Sequence, residues 1–98
     1  MDLATATTGL RNKVGADCGL GATLKFDCAD AGVIVIDGAS TPNSVDNDNR
    51  DTDCTVACTI DTLGDLMSGE VDATTAFMTG RIKVSGDISV ALTLQRVL

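Results

Sequence analysis

Two short apolar runs separated by a turn constrain the fold of this chain more than any other feature. Gly21–Cys28 alternates apolar and polar residues, which is the period of a strand with one buried face. Asp30–Gly32 supplies turn residues, and Val33–Ile36 follows as a β-branched run that stops before Asp37. The sequence therefore predicts an antiparallel hairpin that the rest of the chain must cover.

Six further segments show the periodicity or the end signals of regular structure. Asp is a frequent residue at helix N-termini and Gly at their C-termini, and Pro42 confines the strand after it to a sheet edge. The predicted segments are a weak helix at Leu3–Lys13, an edge strand at Ser44–Val45, a strand at Cys54–Ile60, a helix capped by Asp61 and ended by Gly69, a helix at Ala73–Thr79 capped by Asp72, and a strand at Arg81–Ser85.

The tail of the chain has two interpretations. Apolar residues alternate with small or polar ones over Ile88–Gln95, which predicts a strand paired with Arg81–Ser85. A helix capped by Asp87 would instead turn Ala91 inward, between Ile88 and Leu92. That helix would also align a polar stripe of Ser89, Thr93 and Arg96. Periodicity alone favours the strand.

Charge and composition narrow the class of partner. The formal net charge of -7 over 98 residues argues against nucleic acid, because binding a phosphate backbone needs clustered basic residues. The seven Lys and Arg residues are scattered, so any contact with a membrane is expected to be transient. The chain shows no signal-peptide pattern and no run of 18 apolar residues. We expect one soluble domain over residues 1–98, located in the cytoplasm, with its cysteines as thiols.

Two sets of side chains resemble metal sites. A strand over Cys54–Ile60 would separate Cys54 and Cys58 by about 13 Å, which is too far for one tetrahedral zinc ion or a disulfide. We therefore interpret Cys18, Cys28 and these two cysteines as small buried hydrophobic residues.

The second set is an acidic loop. It carries Asp46, Asp48, Asp51 and Asp53, but Asp51 occupies the glycine position of an EF-hand and Ala57 the position of its bidentate glutamate. A solvated acidic loop is favoured over a calcium site.

Catalysis has little support in the sequence. The chain contains no His and no Tyr, so a general base would have to be a carboxylate or Lys with a shifted pKa, and a nucleophilic Cys would lack an imidazole partner. We predict neither an enzymatic activity nor a cofactor. The apolar side chains of the second half then form either an ordinary core or the lining of a ligand cavity, and composition does not separate the two.

Several motifs of the second half resemble one family. Leu66–Gly69 reads LMSG, Ala76–Gly86 reads AFMTGRIKVSG, Ala91–Gln95 reads ALTLQ, and Asp53–Thr55 reads DCT. These are similar to motifs of the sterol carrier protein 2 (SCP-2) family of lipid-transfer domains. Met78 stands where the family has a second aromatic residue, and the ending Arg-Val-Leu differs from its Ser-Lys-Leu peroxisomal address. With the hairpin, the resemblance covers most of the chain.

The resemblance implies an α+β fold with a twisted five-stranded mixed sheet. Short helices would cover one face and enclose an apolar tunnel for a sterol, fatty acid, fatty acyl-CoA or phospholipid. It also implies that the tail is a helix, and we adopt that prediction. The expected ligand-binding residues are Leu63, Leu66, Met67, Phe77, Met78, Val84, Ile88, Ala91 and Leu92.

We expect Phe77 and Met67 to form the bottom of the cavity, because they are the bulkiest apolar residues of the two short helices. The expected function is non-enzymatic lipid binding or transfer by a monomer or weak dimer. The alternative is an interaction module whose apolar helical face binds a partner protein.

Overall fold

The predicted hairpin lies at the centre of a five-stranded mixed sheet. The computed structural model describes residues 2–94 and 97–98. Strand β1 (Thr23–Asp27) pairs antiparallel with β2 (Val33–Asp37), so that Phe26 lies opposite Ile34. A single 3₁₀ turn, Ala29–Ala31, connects the two strands. The hairpin prediction is therefore confirmed.

The remaining strands extend the sheet on both sides of the hairpin. Strand β3 (Ser44–Asp46) pairs antiparallel with β2 and forms one edge, as Pro42 predicted. On the other side, β4 (Cys54–Ala57) runs parallel to β1. Strand β5 (Lys83–Gly86) pairs antiparallel with β4 and forms the second edge. The spatial order is β3-β2-β1-β4-β5.

Helix α1 (Leu3–Val14) is better defined than its sequence suggests. Its first turn is capped by the Asp2 carboxylate, which accepts a hydrogen bond of 2.7 Å from the Thr5 N–H. Ala6, Leu10 and Val14 recur at a spacing of four residues and are buried. This single stripe packs into the main core with the inner-face residues Leu24, Phe26, Ile34, Ile36 and Val56.

The connection from β3 to β4 crosses the outer face of the sheet. The Lys25 ammonium donates to the Asn49 side chain and to the Arg50 carbonyl, and Arg50 forms an ion pair with Asp46. Val35 lies between Lys25 and Asp46 in the strand register and is fully buried. The acidic loop therefore shields an apolar residue of the outer face.

Helix α2 (Ile60–Ser68) begins earlier than predicted. The Thr59 hydroxyl accepts a hydrogen bond from the Thr62 N–H, so Thr59 is the N-cap and Asp61 lies in the first turn. Strand β4 consequently stops at Ala57, and the predicted strand Cys54–Ile60 is too long. Gly69 ends α2 in the left-handed conformation (φ 83°), as its sequence signal predicts.

The last two helices are short. Helix α3 (Ala73–Met78) is capped by Asp72 as predicted and stops one residue before the predicted end. Helix α4 (Ile88–Ala91) is capped by Asp87, so the helical interpretation of the tail is correct and the alternating strand is wrong.

The inward face of the tail differs from the prediction. Val90, Leu94 and Val97 are buried, whereas Ile88 and Leu92 are exposed. Arg96, which was predicted to belong to a polar stripe with Ser89 and Thr93, lies outside the described residues.

The three aspartate caps make stability depend on pH. Hydrogen bonds from Thr5 lower the pKa of Asp2, those from Thr75 lower the pKa of Asp72, and those from Ser89 lower the pKa of Asp87. A carboxylate whose pKa is lower in the folded state stabilises the fold above its unfolded pKa of about 3.9. That stabilisation is lost as the pH falls through the lower, folded value.

Replacing all three caps by Asn is therefore expected to flatten the loss of stability below about pH 4, because Asn also caps helices but carries no charge. Urea unfolding at pH 6 and pH 2.5 measures the difference. A matched control replaces the exposed acids Asp30, Asp51 and Glu70 by their amides. Equal flattening in both triple variants would contradict the assignment to the caps.

Candidate functional site

An apolar cleft opens between α3, β5 and α4. It encloses about 210 Å³. Its lining comes entirely from one stretch of the chain: Ala73, Thr74, Phe77, Met78, Ile82, Val84, Ile88, Ala91, Leu92 and Leu94. Thr74 is the only polar side chain among these lining residues. The cleft can therefore hold an apolar group by burial, but it offers little hydrogen bonding.

The cleft has a buried floor and an exposed rim. Ile82 and Leu94 are 3% and 2% exposed and form the floor, while Val84 and Ala91 are half-buried in its wall. The rim residues are much more exposed: Phe77 52%, Met78 83%, Ile88 54% and Leu92 80%. Four large apolar side chains around one opening form a contiguous patch, and such patches mark binding surfaces on soluble proteins.

The rim is exposed because the helices that carry it are short. Within α3 only Ala76 is buried, so the next two residues, Phe77 and Met78, turn outward. In α4 only Val90 is buried, which leaves Ile88 facing outward. A helix of four to six residues presents a single turn to the core, so its remaining apolar side chains lie uncovered.

An ion pair fixes the base of α3 relative to α2. The Arg81 guanidinium donates to the Asp65 carboxylate at 2.6 Å, and the Arg81 and Ile82 N–H groups donate to the Ala76 carbonyl. These bonds hold the turn between α3 and β5 at one end of the cleft. Because both charged side chains are about two-fifths exposed, the ion pair serves position more than stability.

Six of the nine predicted ligand-binding residues come together in this cleft: Phe77, Met78, Val84, Ile88, Ala91 and Leu92. Leu63 is fully buried in the core. Leu66 lines a second, more polar cavity with Gly69, Val71, Asp72, Ala73 and Leu98. The ligand-binding role of each residue stays a prediction.

The prediction that Phe77 and Met67 form the bottom of the cavity is wrong. A Cβ on Gly9 would lie only 2.5 Å from the Met67 methyl group, so Met67 packs against α1 rather than beneath α3. Phe77 lies at the rim, and Ile82 and Leu94 occupy the floor instead.

Sequence reasoning also left four lining residues out of the predicted site: Ala73, Thr74, Ile82 and Leu94. Spacing offered a signal for two of them. Ala73 precedes Phe77 by one helical turn, and Leu94 follows Ala91 by three residues, so each lies on the same side as a predicted residue.

Neither a metal centre nor a membrane span is found in the described part of the chain. No three His, Cys, Asp or Glu side chains among residues 2–94 and 97–98 are grouped so that they could hold a metal ion. In the same ranges, no helix has the length and apolar character needed to cross a bilayer.

Solved structures with this fold include several sterol carrier proteins. Sterol carrier protein 2 like 2 from Aedes aegypti superposes with a TM-score of 0.74 at 19% identity, covering 98% of this chain and 95% of that one. A palmitated form of that protein, solved by NMR, gives 0.73 at 20% identity, with 99% and 94% covered. The apo sterol carrier protein 2 from Yarrowia lipolytica gives 0.71 at 20% identity, with 92% and 87% covered. At these identities the likeness shows the fold, an α+β sheet of five strands with its helices.

The family follows from sequence. No curated protein matches the chain. The sequence model of the SCP-2 sterol transfer family, however, matches residues 16–98, which include every strand, the three later helices and all the residues of the cleft. The chain therefore belongs to the SCP-2 sterol transfer family.

Proposed function

We propose that the protein binds a single lipid in the cleft and carries it without chemical change. Membership of the family implies binding or transfer of a sterol or another lipid. Binding in this cleft is supported above all by its exposed apolar rim, which lies above a buried floor. The rim consists of Phe77, Met78, Ile88 and Leu92, and the floor of Ile82 and Leu94. A ligand that covers the rim removes apolar surface from water, which supplies the free energy of binding.

An acyl chain fits this cleft better than a compact polar ligand. Each CH₂ group that leaves water contributes about 0.8 kcal/mol, and the lining offers only Thr74 for polar contact. The cleft of about 210 Å³ is smaller than the roughly 300–1,000 Å³ of sites for drug-sized ligands. We therefore propose that the floor holds one end of the chain and the rim covers the following segment. The palmitated Aedes aegypti protein of the same fold supports an acyl ligand.

The enclosed tunnel remains part of the proposal. The cleft and the more polar cavity beside Leu66 share Ala73 as a common wall. A small outward movement of α3 would join them into a longer channel that accepts more of the chain. Ala73 suits such a wall because its side chain is small and half-buried.

A chain-length series tests the proposal directly. Saturated fatty acids from eight to eighteen carbons are added to the full chain with a fluorescent fatty acid bound, and displacement gives each Kd. We expect Kd to fall about fourfold for each added CH₂ until the cleft is filled, because 0.8 kcal/mol corresponds to roughly that factor. Native mass spectrometry should show one lipid per chain. If no acyl or sterol ligand displaces the probe at micromolar concentration, the proposal fails.

The rim also supports a second candidate function. Four exposed apolar side chains could instead contact a partner protein, which was the alternative expected from sequence. Lipid transfer by a cytoplasmic monomer or weak dimer predicts that saturation with lipid leaves the mass in solution unchanged. An interaction module predicts a stable self-associated or mixed complex that persists without lipid. Light scattering with and without palmitate separates the two.

A further inference from the structure

Two cysteines lie side by side where β1 and β4 end. The parallel register places Asp27 opposite Ala57, so the next residues along the two strands are Cys28 and Cys58. The Cys58 N–H donates to the Asp27 carbonyl at 3.0 Å, which continues the parallel ladder to this point. Neighbouring strands lie about 4.8 Å apart, and the Cα atoms of disulfide partners lie about 4.4–6.8 Å apart. The backbone therefore already has the spacing of a disulfide.

The side chains of the pair also face each other. Phe26 and Val56 point to the inner face, and the period of two residues directs Cys28 and Cys58 to the same side. A hydrogen bond from the Cys58 thiol lowers the pKa of Cys28, and the same bond keeps the proton on Cys58 and raises its pKa. Cys28 is buried, whereas Cys58 is partly exposed, so a small reagent can reach the pair from the side of Cys58.

The other two cysteines are placed differently. Cys54 lies opposite Leu24 in the register and is fully buried. Cys18 belongs to the loop before β1, where its N–H is bonded to the side chain of Asn43. Neither lies beside a second cysteine in the β1–β4 register, so the sheet singles out one pair.

We propose that Cys28 and Cys58 form an oxidisable dithiol that closes to an intramolecular disulfide. With a peroxide as oxidant, one thiolate attacks the O–O bond, forming a sulfenic acid and releasing water once the proton is transferred. The second thiol then attacks that sulfur, forming the S–S bond and releasing a second water. With a small disulfide as oxidant, two exchange steps form the same bond and release two reduced thiols.

The disulfide would tie the end of β1 to the residue before the N-cap of α2. It would close a loop over residues 28–58 and so restrain the unfolded chain. We expect the midpoint of thermal unfolding to rise by at least about 5 °C on oxidation. None of the residues that line the cleft belongs to the pair, so this inference stands or fails independently of lipid binding.

Oxidation of the folded full chain tests the assignment. The protein is treated with hydrogen peroxide or oxidised glutathione in native buffer, alkylated and digested with trypsin. We expect the loss of two hydrogens in the intact mass and a link between the peptides over 26–50 and 51–81, which fragmentation places on Cys28 and Cys58. Oxidation in denaturant serves as the control, because the unfolded chain should favour pairing of Cys54 with its near neighbour Cys58.

Three results of the oxidation experiments would overturn the proposal. The first is free, alkylatable Cys28 and Cys58 after native oxidation, and the second is a native link to Cys18 or Cys54 instead. The third is an equal thermal shift in the parent and in Cys58→Ser, whose half-buried position favours folding of the variant. Phenylarsine oxide, which bridges two adjacent thiols, provides a test on the unaltered chain. One equivalent should bind and block native disulfide formation, and failure to bind would also contradict the proposal.

Discussion

Ala91→Glu is expected to weaken binding of an acyl ligand by at least about 100-fold while the protein remains folded. Ala91 is half-buried in the wall of the cleft, so an introduced carboxylate keeps water contact when the cleft is empty. A bound acyl chain would remove that water without offering a hydrogen bond. A hundredfold loss corresponds to about 2.7 kcal/mol, which is modest for an unpaired charge facing an apolar ligand. Displacement of a fluorescent fatty acid measures the effect.

Ser89→Glu is the matched control for this experiment. Ser89 lies on the same short helix and is exposed, but it is not part of the cleft lining. The two variants carry the same added charge two residues apart. Binding should therefore survive in Ser89→Glu and be lost in Ala91→Glu. Equal affinities in both would place the lipid somewhere other than this cleft.

The largest loss of stability is expected from Gly86→Ala. Gly86 has a φ of 87°, and a Cβ at this position would lie 2.5 Å from the Asp53 carbonyl oxygen. That oxygen also accepts a hydrogen bond of 2.7 Å from the Asp87 N–H, at the point where β5 passes into α4. The added methyl group must therefore push two backbone segments apart. We expect the free energy of unfolding to fall by about 3 kcal/mol or more, which lowers the melting temperature by about 12 °C or more.

Gly69→Ala separates the cost of the left-handed backbone from the cost of the close approach to Asp53. Gly69 has a similar φ of 83°, but a Cβ there would have no neighbouring atom within 4 Å. Its replacement by Ala should lower the free energy of unfolding by only about 1–2 kcal/mol, which is the cost of a left-handed backbone conformation for a residue with a Cβ. Thermal and urea unfolding of both variants measure the difference. Equal losses would show that the close approach to Asp53 contributes nothing.

The sheet was predictable because its signals are local. The alternation over Gly21–Cys28 and the β-branched run after it specify two strands and a turn within a short window. Each of the four α-helices in the described residues begins at an Asp or Thr whose side chain accepts an N–H bond of the first turn, and α1 and α2 end at a Gly. The start of α2 was predicted two residues too late because Thr59 and Asp61 are both residues that cap helices well. Thr59 is the cap in the structure, where β4 already ends at Ala57.

The floor of the cleft was harder to predict because it depends on contacts between distant segments. Leu66 and Met67 are adjacent on α2, but neither lines the cleft: Leu66 borders the second cavity, and the Met67 methyl group lies against Gly9 of α1. Phe77 was expected at the bottom because of its size. The small Ala76 is the α3 residue that contacts the interior instead, and this leaves Phe77 at the rim. Side-chain volume alone therefore did not predict that Ala76 would be buried and Phe77 exposed.

The tail shows how one pattern can suit two structures. Alternating residues over Ile88–Leu94 fit a strand, yet Asp87 caps a helix there. The buried residues Val90 and Leu94 are separated by four residues, which is the spacing of one helical face. The resemblance to a known family, rather than periodicity, identified the helix. The direction of that face is set by the packing of α4 against β4 and β5.

The arrangement of the cleft has a consequence for how its selectivity can change. Its lining is confined to residues 73–94, and its four rim side chains are at least half exposed before any ligand binds. Replacing an exposed residue usually alters stability by less than about 0.5 kcal/mol. Preference for one lipid over another can therefore diverge by substitutions at the rim while the sheet and α1 stay unchanged. For protein engineering, this short segment is a natural unit to randomise when a new apolar ligand is sought.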